Sequence, residues 1–244
     1  MRISSLRFKA MTIAATLVAL FAVAFTVGCG GDKLEPAEMG VEDLWEMAAQ
    51  ADEDIESWHM ELTSYYLNTQ YDSGPIQSMI VDVNGEDLHE QWLLMGQVYA
   101  EFIKVDGREY SKDMLDDTWK EVEATSDGEI AGDYTSQFME LPSQASSQEN
   151  VGVEVIDGRE TEHFHFALSS SRVEEMFTTT TSYGFSDNGG GEVDVWIDRE
   201  TYFMVRYDLV IKNVVIPEEI GLGDLRFVVD ISDINQPIEI AAPI

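Results

Sequence analysis

The segment "IDGRETEHFHFAL", residues 156–168, holds the residues whose types and spacing come nearest to a chemical site. His163 and His165 occupy alternate positions, and Glu160 lies three residues before the first of them. Two histidines spaced in this way on a β-strand can supply two zinc ligands, but a zinc site needs a third ligand and usually a fourth. His59 and His89 are distant in sequence, and no carboxylate has a diagnostic spacing. We therefore expect two solvated strand histidines, with a metal-dependent enzyme as the alternative.

Other catalytic templates are absent from the sequence. It contains no Gly-x-Ser-x-Gly elbow, no His-Glu-x-x-His motif and no glycine-rich phosphate loop ahead of a helix. "SYGFSDNGGG", residues 182–191, precedes a strand pattern and is predicted to be a flexible loop. The sequence thus predicts no catalytic residue, no cofactor and no metal, and the protein is not expected to be an enzyme.

The tetrapeptide Asp-Gly-Arg-Glu occurs twice, at 106–109 and at 157–160. Two copies could indicate a repeated active-site loop. Asp-Gly is also a strong signal for a two-residue β-hairpin turn, because both central positions of a type I′ turn need positive φ. Both copies lie between alternating segments, so we predict two independent hairpin turns.

Most of the chain alternates apolar and polar residues with the period of a β-strand. Each long strand then has one apolar face and one wet face, as in a sheet covered on one side. Phe164 and Phe166 belong to the apolar face, and the two histidines to the other. The other apolar sets are Val193, Val195 and Ile197; Phe203, Val205, Tyr207, Leu209 and Ile211; and Phe227, Val229 and Ile231.

Three segments have helical spacing. The clearest covers 41–54, with Val41, Leu44, Trp45, Ala48 and Ile55 on one face. A second, "AGDYTSQFMEL", is expected to end at Pro142. A third, at 171–180, has Ser171 as its predicted N-cap and Glu174 at the capping-box position.

These elements predict an α+β fold built on one curled antiparallel β-sheet, an open half-barrel of about ten strands. The connections are mostly too short for crossovers, which favours antiparallel pairing. Three helices are too few to cover ten strands laid flat, so the sheet should curl around its apolar face with the helices over the concave side. Residues 41–244 are expected to form this single domain.

The first 28 residues read as a signal peptide. Arg2, Arg7 and Lys9 precede an uncharged run from Met11 to Val27, and small Gly28 stands before Cys29, the only cysteine. This order resembles a bacterial lipobox, from which Thr26 departs because leucine is usual there. We expect Cys29 to be lipidated and 29–40 to form a tether; the alternative is an uncleaved anchor helix with an incidental cysteine.

The chain is strongly acidic, with a formal net charge of −33. Removal of 1–28 leaves 11 basic and 47 acidic residues, a charge of −36. This charge argues against nucleic-acid binding, which needs a basic surface. It also repels the body from anionic lipid headgroups, so an acyl chain on Cys29 would have to hold the protein on the cell membrane, outside the cytoplasm.

The order of several segments resembles the LppX/LprG-type bacterial lipoproteins within the LolA/LolB-like superfamily. After the lipobox and the amphipathic helix come "SWHMELT", "VEVIDGRETEHFHFAL", "VDVWIDRETYFMVRYDL" and a terminal "INQPIEIAAP". The resemblance covers most of 41–244. It implies a curled antiparallel sheet with helices over its hollow, and a function in binding or carrying lipids or lipid-linked molecules there, or in sensing envelope components.

An apolar hollow of this kind would be lined from the apolar strand faces, with two lid residues from the third helix. An ordinary packed core is the alternative for each position. The candidate ligand-binding residues are Met60, Leu62, Met79, Val81, Phe164, Phe166, Met176, Phe177, Val195, Val205 and Phe227. The alternative function is a non-catalytic sensor or interaction module with a packed core, which contacts another envelope protein through its acidic convex face near Glu192 and Asp194.

Overall fold

The structure, a computed structural model, describes residues 40–70, 74–113, 117–123, 140–177, 184–216 and 221–244, without the side chains of 113, 176, 177 and 184–188. Residues Glu35–Ile244 form one compact unit, distinct from Met1–Leu34. The predicted signal peptide, Cys29 and almost all of the tether lie outside the described residues. No helix in the described ranges is long and apolar enough to span a membrane.

Within the described ranges, eleven antiparallel strands form one sheet, close to the ten that were expected. In space they follow the order β6-β5-β4-β3-β2-β1-β11-β10-β9-β8-β7, so every strand except β1 and β11 pairs only with its sequence neighbours. The strands are β1 (Ser57–Leu67), β2 (Pro75–Asn84), β3 (Asp87–Leu94), β4 (Gln97–Val105), β5 (Arg108–Asp113), β6 (Lys120–Val122), β7 (Ser147–Ile156), β8 (Arg159–Ser169), β9 (Gly184–Asp198), β10 (Met204–Val215) and β11 (Leu222–Ser232).

The predicted division of the sheet into two faces is confirmed by the pairing register. Met60 lies opposite Val81 on β2 and opposite Ile231 on β11. Farther along, Tyr207 lies opposite both Val229 and Val195. Because opposed residues point to the same side, these side chains share one face, which we call the inner face; the opposite side is the outer face.

Helix α1 (Val41–Asp52) confirms the first predicted helix. Leu44, Trp45 and Ala48 are its buried residues, and Glu42 and Asp43 lie in its first turn, where the helix dipole favours acids. Val41 and Ile55 pack against the same core. The apolar residues that share one face of the helix therefore pack against the inner face, as their spacing predicts.

The other two helices differ from the prediction at their starts. Helix α2 (Leu141–Gln144) begins where the second predicted helix was expected to end, because Pro142 occupies its first turn, where proline is compatible with a helix. Residues 131–139 of that prediction lie outside the described residues. Helix α3 (Ser170–Phe177) includes Ser171, and the Arg172 N–H donates to Ser169 Oγ at 3.3 Å. Ser171 was therefore wrong as the N-cap.

Both Asp-Gly pairs form the predicted hairpin turns. Asp106 and Gly107 have φ of 51° and 72°, and Asp157 and Gly158 have φ of 49° and 83°. Positive φ at both central positions is the signature of the type I′ turn. Each copy of the tetrapeptide thus forms a separate hairpin turn.

The prediction of a loop at 182–191 was wrong over 184–191, which form the start of β9. Gly190 and Gly191 pair with Ser169 and Leu168 of β8. A Cβ placed on Gly191 would lie 2.9 Å from Cγ2 of Val173 on α3. The absence of a side chain therefore allows α3 to pack directly on this strand.

The outer face has a small core of its own near the β4–β5 hairpin. Ile103, Val105 and Tyr110 are buried there against Trp119 and Ile240. Residues 237–244 adopt no regular secondary structure. The tail that contains them is held by hydrogen bonds from Asn84 Nδ2 to the Ile238 carbonyl at 2.9 Å and from Ser57 Oγ to the Gln236 carbonyl at 2.7 Å.

Candidate functional site

The predicted ligand-binding residues whose side chains are described all lie on the inner face. Leu62 is opposite Met79, Phe164 is opposite Val195, and Val205 and Phe227 alternate with residues of the same face on β10 and β11. Met176 and Phe177 are at the end of α3, but their side chains lie outside the description. The structure thus brings nine of the candidates to one surface, while their contact with a ligand stays a prediction.

Helix α1 seals one half of this face. The Trp45 indole meets Phe164 and Phe166 edge-on, with ring centroids 5.6 and 5.1 Å apart. Both phenylalanines and Val195 are fully buried. Over β8 and β9 the inner face is therefore a packed core, and its candidate residues hold the helix in place.

The other half of the inner face is more open. Several large apolar side chains on β11, β1, β3 and β4 are only half-buried, in contrast to those under α1. Pairing between neighbouring strands joins this set across the sheet, because Met79 on β2 lies opposite both Leu62 and Trp92. We call this set the open inner patch; its members are Leu62, Tyr66, Trp92, Phe102 and Phe227.

Only Leu62 and Phe227 of this patch were predicted from the sequence. One of the other members, Trp92, stands in a segment with a usable signal, since Leu88, Glu90, Trp92 and Leu94 occupy alternate positions of β3. Three of these four residues are apolar, so an acid in their row is out of pattern. That mismatch could have drawn attention to Glu90.

Glu90 is a buried acid on the inner face, only 5% exposed. It lies between Val81 on β2 and Phe102 on β4, opposite both in the register. Its Oε1 atom has no hydrogen-bond partner among the described residues. Burial raises the pKa of Glu90, and a hydrogen bond from the Trp92 indole opposes that rise in part.

A second buried acid on the same face, Glu162, is compensated. Asn150 Nδ2 donates to its Oε1 at 2.8 Å, and Arg199 Nε lies 3.5 Å from its Oε2. The first contact is a hydrogen bond; the second is an ion pair without hydrogen-bond geometry, since both of its atoms lack a hydrogen-bond partner. The burial of Glu162 is thus offset by a hydrogen bond to one oxygen and a positive charge near the other. No hydrogen bond offsets the burial of Glu90 Oε1 among the described residues.

A β-bulge brings two more polar groups near Glu90. Trp92 pairs with Ala100 and Leu93 with Val98, which leaves Tyr99 as the extra residue on β4. Gln77 Nε2 donates to the Tyr99 hydroxyl at 3.2 Å. Burial, and then the charge of Glu90, raise the pKa of Tyr99. The open inner patch is therefore apolar around a small polar centre.

All four histidines lie on the outer face, in two pairs that each share one aspartate. Asp194 Oδ1 is 2.9 Å from His163 Nε2 and 3.0 Å from His165 Nδ1. Asp82 takes the same position between the other pair, with Oδ1 2.7 Å from His59 Nδ1 and Oδ2 3.8 Å from His89 Nδ1.

The expectation of solvated histidines was wrong for His163, which is 8% exposed. Its ring stacks on Trp196 with centroids 4.4 Å apart, and its Nδ1 lies 3.1 Å from Glu154 Oε1. Glu154 also accepts a hydrogen bond from the Trp196 indole, and the pKa of Glu154 is lowered by that bond first and by His163 second. Neighbours on β7 and β9 thus bury a side chain that strand alternation places on the wet face.

The described part of the outer face shows no cluster of metal ligands. Within the described ranges, no group of three or more His, Cys, Asp or Glu side chains could hold a metal ion. The histidines contact carboxylates instead, and Glu192, near the proposed convex contact, pairs with Lys212 at 2.5 Å. These contacts tie strands of the sheet together.

A cavity of about 380 Å³ opens on the sheet near β3–β5. Its polar lining includes Gln91, Glu101, Lys112 and Asp117. These groups already satisfy one another: Gln91 donates to Glu101 at 2.6 Å, and Lys112 lies 2.8 Å from Asp117. The charges in this lining make the cavity unsuitable for an apolar ligand.

Two solved structures share this architecture. The lipoprotein LppX from Mycobacterium tuberculosis is 20% identical, with a TM-score of 0.53, over 82% of this chain and 97% of that one. LprF from Mycobacterium bovis is 16% identical, with a TM-score of 0.53, over 83% and 96%. Neither family models nor curated protein sequences give a match. The chain therefore shares the fold of these two lipoproteins, as its segment order predicts.

Proposed function

We propose that this protein is an extracytoplasmic lipoprotein that binds or carries a lipid or another hydrophobic ligand on the inner face of its sheet, without catalysis. The observation that carries the proposal is the open inner patch. Large apolar side chains are left half-buried there, beside a half that α1 seals completely. These side chains surround the fully buried Met79, and partly exposed apolar side chains grouped on one side of a sheet support a binding site there.

The energetics suit a ligand with an alkyl chain. Each CH₂ group that leaves water contributes about 0.8 kcal/mol. A chain of about ten carbons would therefore contribute about 8 kcal/mol against the cost of association. The aromatic members, Tyr66, Trp92, Phe102 and Phe227, supply broad contact area at little conformational cost.

The membrane anchor is part of the same proposal. Residues 1–28 would be removed as a signal peptide, Cys29 would carry the lipid, and the tether to residue 40 would connect it to the domain at 41–244. With a charge of −36 the body has no electrostatic attraction to anionic headgroups. Full-length protein with Cys29→Ser should consequently lose its acyl adduct by mass spectrometry; an unchanged membrane-bound fraction with no adduct in either form would contradict this part.

The direct test is extraction of purified residues 30–244 followed by mass spectrometry of the organic phase. We expect a co-purifying lipid or alkyl compound. Leu62→Gln should reduce its amount, because Leu62 belongs to the open inner patch. Thr63→Gln is the matched control, since Thr63 is the next residue on the same strand and bonds to Ser78 on the outer face at 3.2 Å. A filled core with no extractable ligand would overturn the proposal.

One observation favours the alternative of an interaction module. Strand β7 is an edge of the sheet, and Val151, Val153 and Val155 are exposed along it. Exposed edge strands can accept an extended segment of another protein. Capture of an envelope protein by the tethered form, lost on Val153→Lys, would support this alternative, provided that no ligand is extracted from the inner face.

A further inference from the structure

The Oε1 atom of Glu90 lacks a hydrogen-bond partner among the described residues, and this limits which ligands fit the inner face. A buried polar atom without a partner destabilises a protein, because the hydrogen bond it made to water is not replaced. Glu162, on the same face, also has one oxygen without a hydrogen bond, but Arg199 Nε lies 3.5 Å from that oxygen and Asn150 donates to the other. Oε1 of Glu90 is buried without a hydrogen-bond partner among the described residues, and the residue as a whole is only 5% exposed.

The surroundings of Glu90 combine apolar and polar groups in one place. Val81 and Phe102 flank it across the strands, and Trp92 follows two residues later on the same strand and face. The Gln77–Tyr99 hydrogen bond lies on the same side of the sheet, because Gln77 alternates with Met79 on β2. A ligand that fits this face must be apolar over most of its length and polar at one point.

We propose that Glu90 is the polar anchor of the inner face, and that its free Oε1 accepts a hydrogen bond from a hydroxyl group of a neutral amphiphilic ligand. The inference rests on the proposed function, because it assumes that the open inner patch holds the ligand. It adds that the ligand carries a hydroxyl group next to an apolar chain, in reach of β3.

The acidic character of Glu90 and of the whole chain excludes ligands whose polar group is an anion. A carboxylate or phosphate placed against Glu90 would meet a group of the same sign in a site of low dielectric, where repulsion is strong. The net charge of −33 adds to that repulsion. An ether or a methyl ester has no hydrogen to donate and would leave Oε1 unsatisfied.

The test compares two isomeric probes, 1-decanol and methyl nonyl ether. They have the same atoms and nearly the same apolar area, but only the alcohol donates a hydrogen bond. Each would be titrated at pH 7.5 against Nile red bound to residues 30–244, which include the whole compact unit from Glu35. We expect the alcohol to displace the dye about tenfold more effectively, the preference that one hydrogen bond to a buried acceptor supplies.

Three variants make the result specific. Glu90→Leu should reduce the alcohol-to-ether ratio to about one, and Glu90→Gln, which keeps a carbonyl acceptor, should retain most of the preference. Glu101→Gln is the control, since Glu101 lies on the neighbouring strand, points to the outer face and is already bonded to Gln91.

The outcomes separate the two proposals. If Nile red and both probes fail to bind, the inner face is not a ligand site, and both proposals fall. If they bind but the wild type shows no preference, or Glu90→Leu keeps it, the proposed function stands and the role of Glu90 is overturned. If Glu90→Leu loses the preference for the alcohol and Glu101→Gln keeps it, the result supports Glu90 as the polar anchor of the inner face.

Discussion

The Trp45 indole on α1 meets the ring of Phe166 on β8 edge-on, with centroids 5.1 Å apart. Edge-to-face pairs of this kind contribute beyond the area they bury. The same indole also contacts Phe164, so one side chain fastens the helix to two positions of the strand. The boundary between the sealed and the open halves of the inner face depends on this contact.

Replacing Trp45 with alanine should therefore lower the free energy of unfolding by about 3–5 kcal/mol, the usual range for a large buried aromatic residue. Urea unfolding followed by circular dichroism measures this. Glu46→Ala, at the exposed next position of α1, is the control and should change stability by no more than about 0.5 kcal/mol. Equal effects of the two substitutions would show that α1 is not held by the indole.

Gly191 is expected to be intolerant of a side chain because α3 packs on it. Gly191→Ala should destabilise the protein by about 1–3 kcal/mol, since the new methyl group would lie 2.9 Å from Val173 Cγ2. Val173→Ala removes that clash, so the double variant should lose less stability than the two single variants predict together. Strict additivity in urea unfolding would disprove the contact.

His163 and His165 should differ in their contributions to stability. His163→Ala removes a stacked ring and two carboxylate contacts from a buried position, and we expect a loss of about 1–3 kcal/mol. His165→Ala removes one contact from a more exposed position and should cost less. Thermal unfolding of both variants gives the comparison, and an equal or larger effect at His165 would contradict it.

The face of each strand could be predicted from sequence because alternation is a property of the extended backbone and needs no knowledge of the neighbours. Helix α1 was predictable for a similar reason, since its stripe repeats with the helical period. The turns at Asp106 and Asp157 followed from Gly107 and Gly158.

Features that depend on cross-strand register were not predictable. His163 is buried by Trp196, a residue 33 positions later in sequence, and residues 184–191 become a strand because β8 and β10 pair with them. The setting of Glu90 likewise depends on Phe102 and on the bulge at Tyr99. Periodicity predicts where a side chain points, whereas its contacts depend on the alignment of distant strands.

The pairing of His59 gives a pH dependence with a definite sign. Burial alone would lower the pKa of His59, but its hydrogen bond to Asp82 and the charges of Asp82 and Glu61 outweigh that effect, and the net pKa is raised. A raised folded-state pKa stabilises the protein fully below the unfolded pKa of about 6.5, and this contribution is lost as pH rises through the folded pKa.

His59→Gln should therefore reduce the melting temperature more at pH 5.5 than at pH 8.5. Taking the difference between wild type and variant at each pH cancels the general effect of the acidic net charge. A difference that grows toward pH 8.5 would mean that the neutral ring is the favoured form in the folded protein.

The most direct measurement of the central claim is photolabelling of residues 30–244 with a neutral alkyl alcohol that carries a diazirine on its chain, followed by peptide mapping. We predict adducts on the open inner patch, at Leu62, Trp92, Phe102 or Phe227, and their loss in the presence of excess unlabelled 1-decanol. Adducts confined to the outer face, or labelling that excess 1-decanol does not reduce, would contradict a ligand site on the inner face.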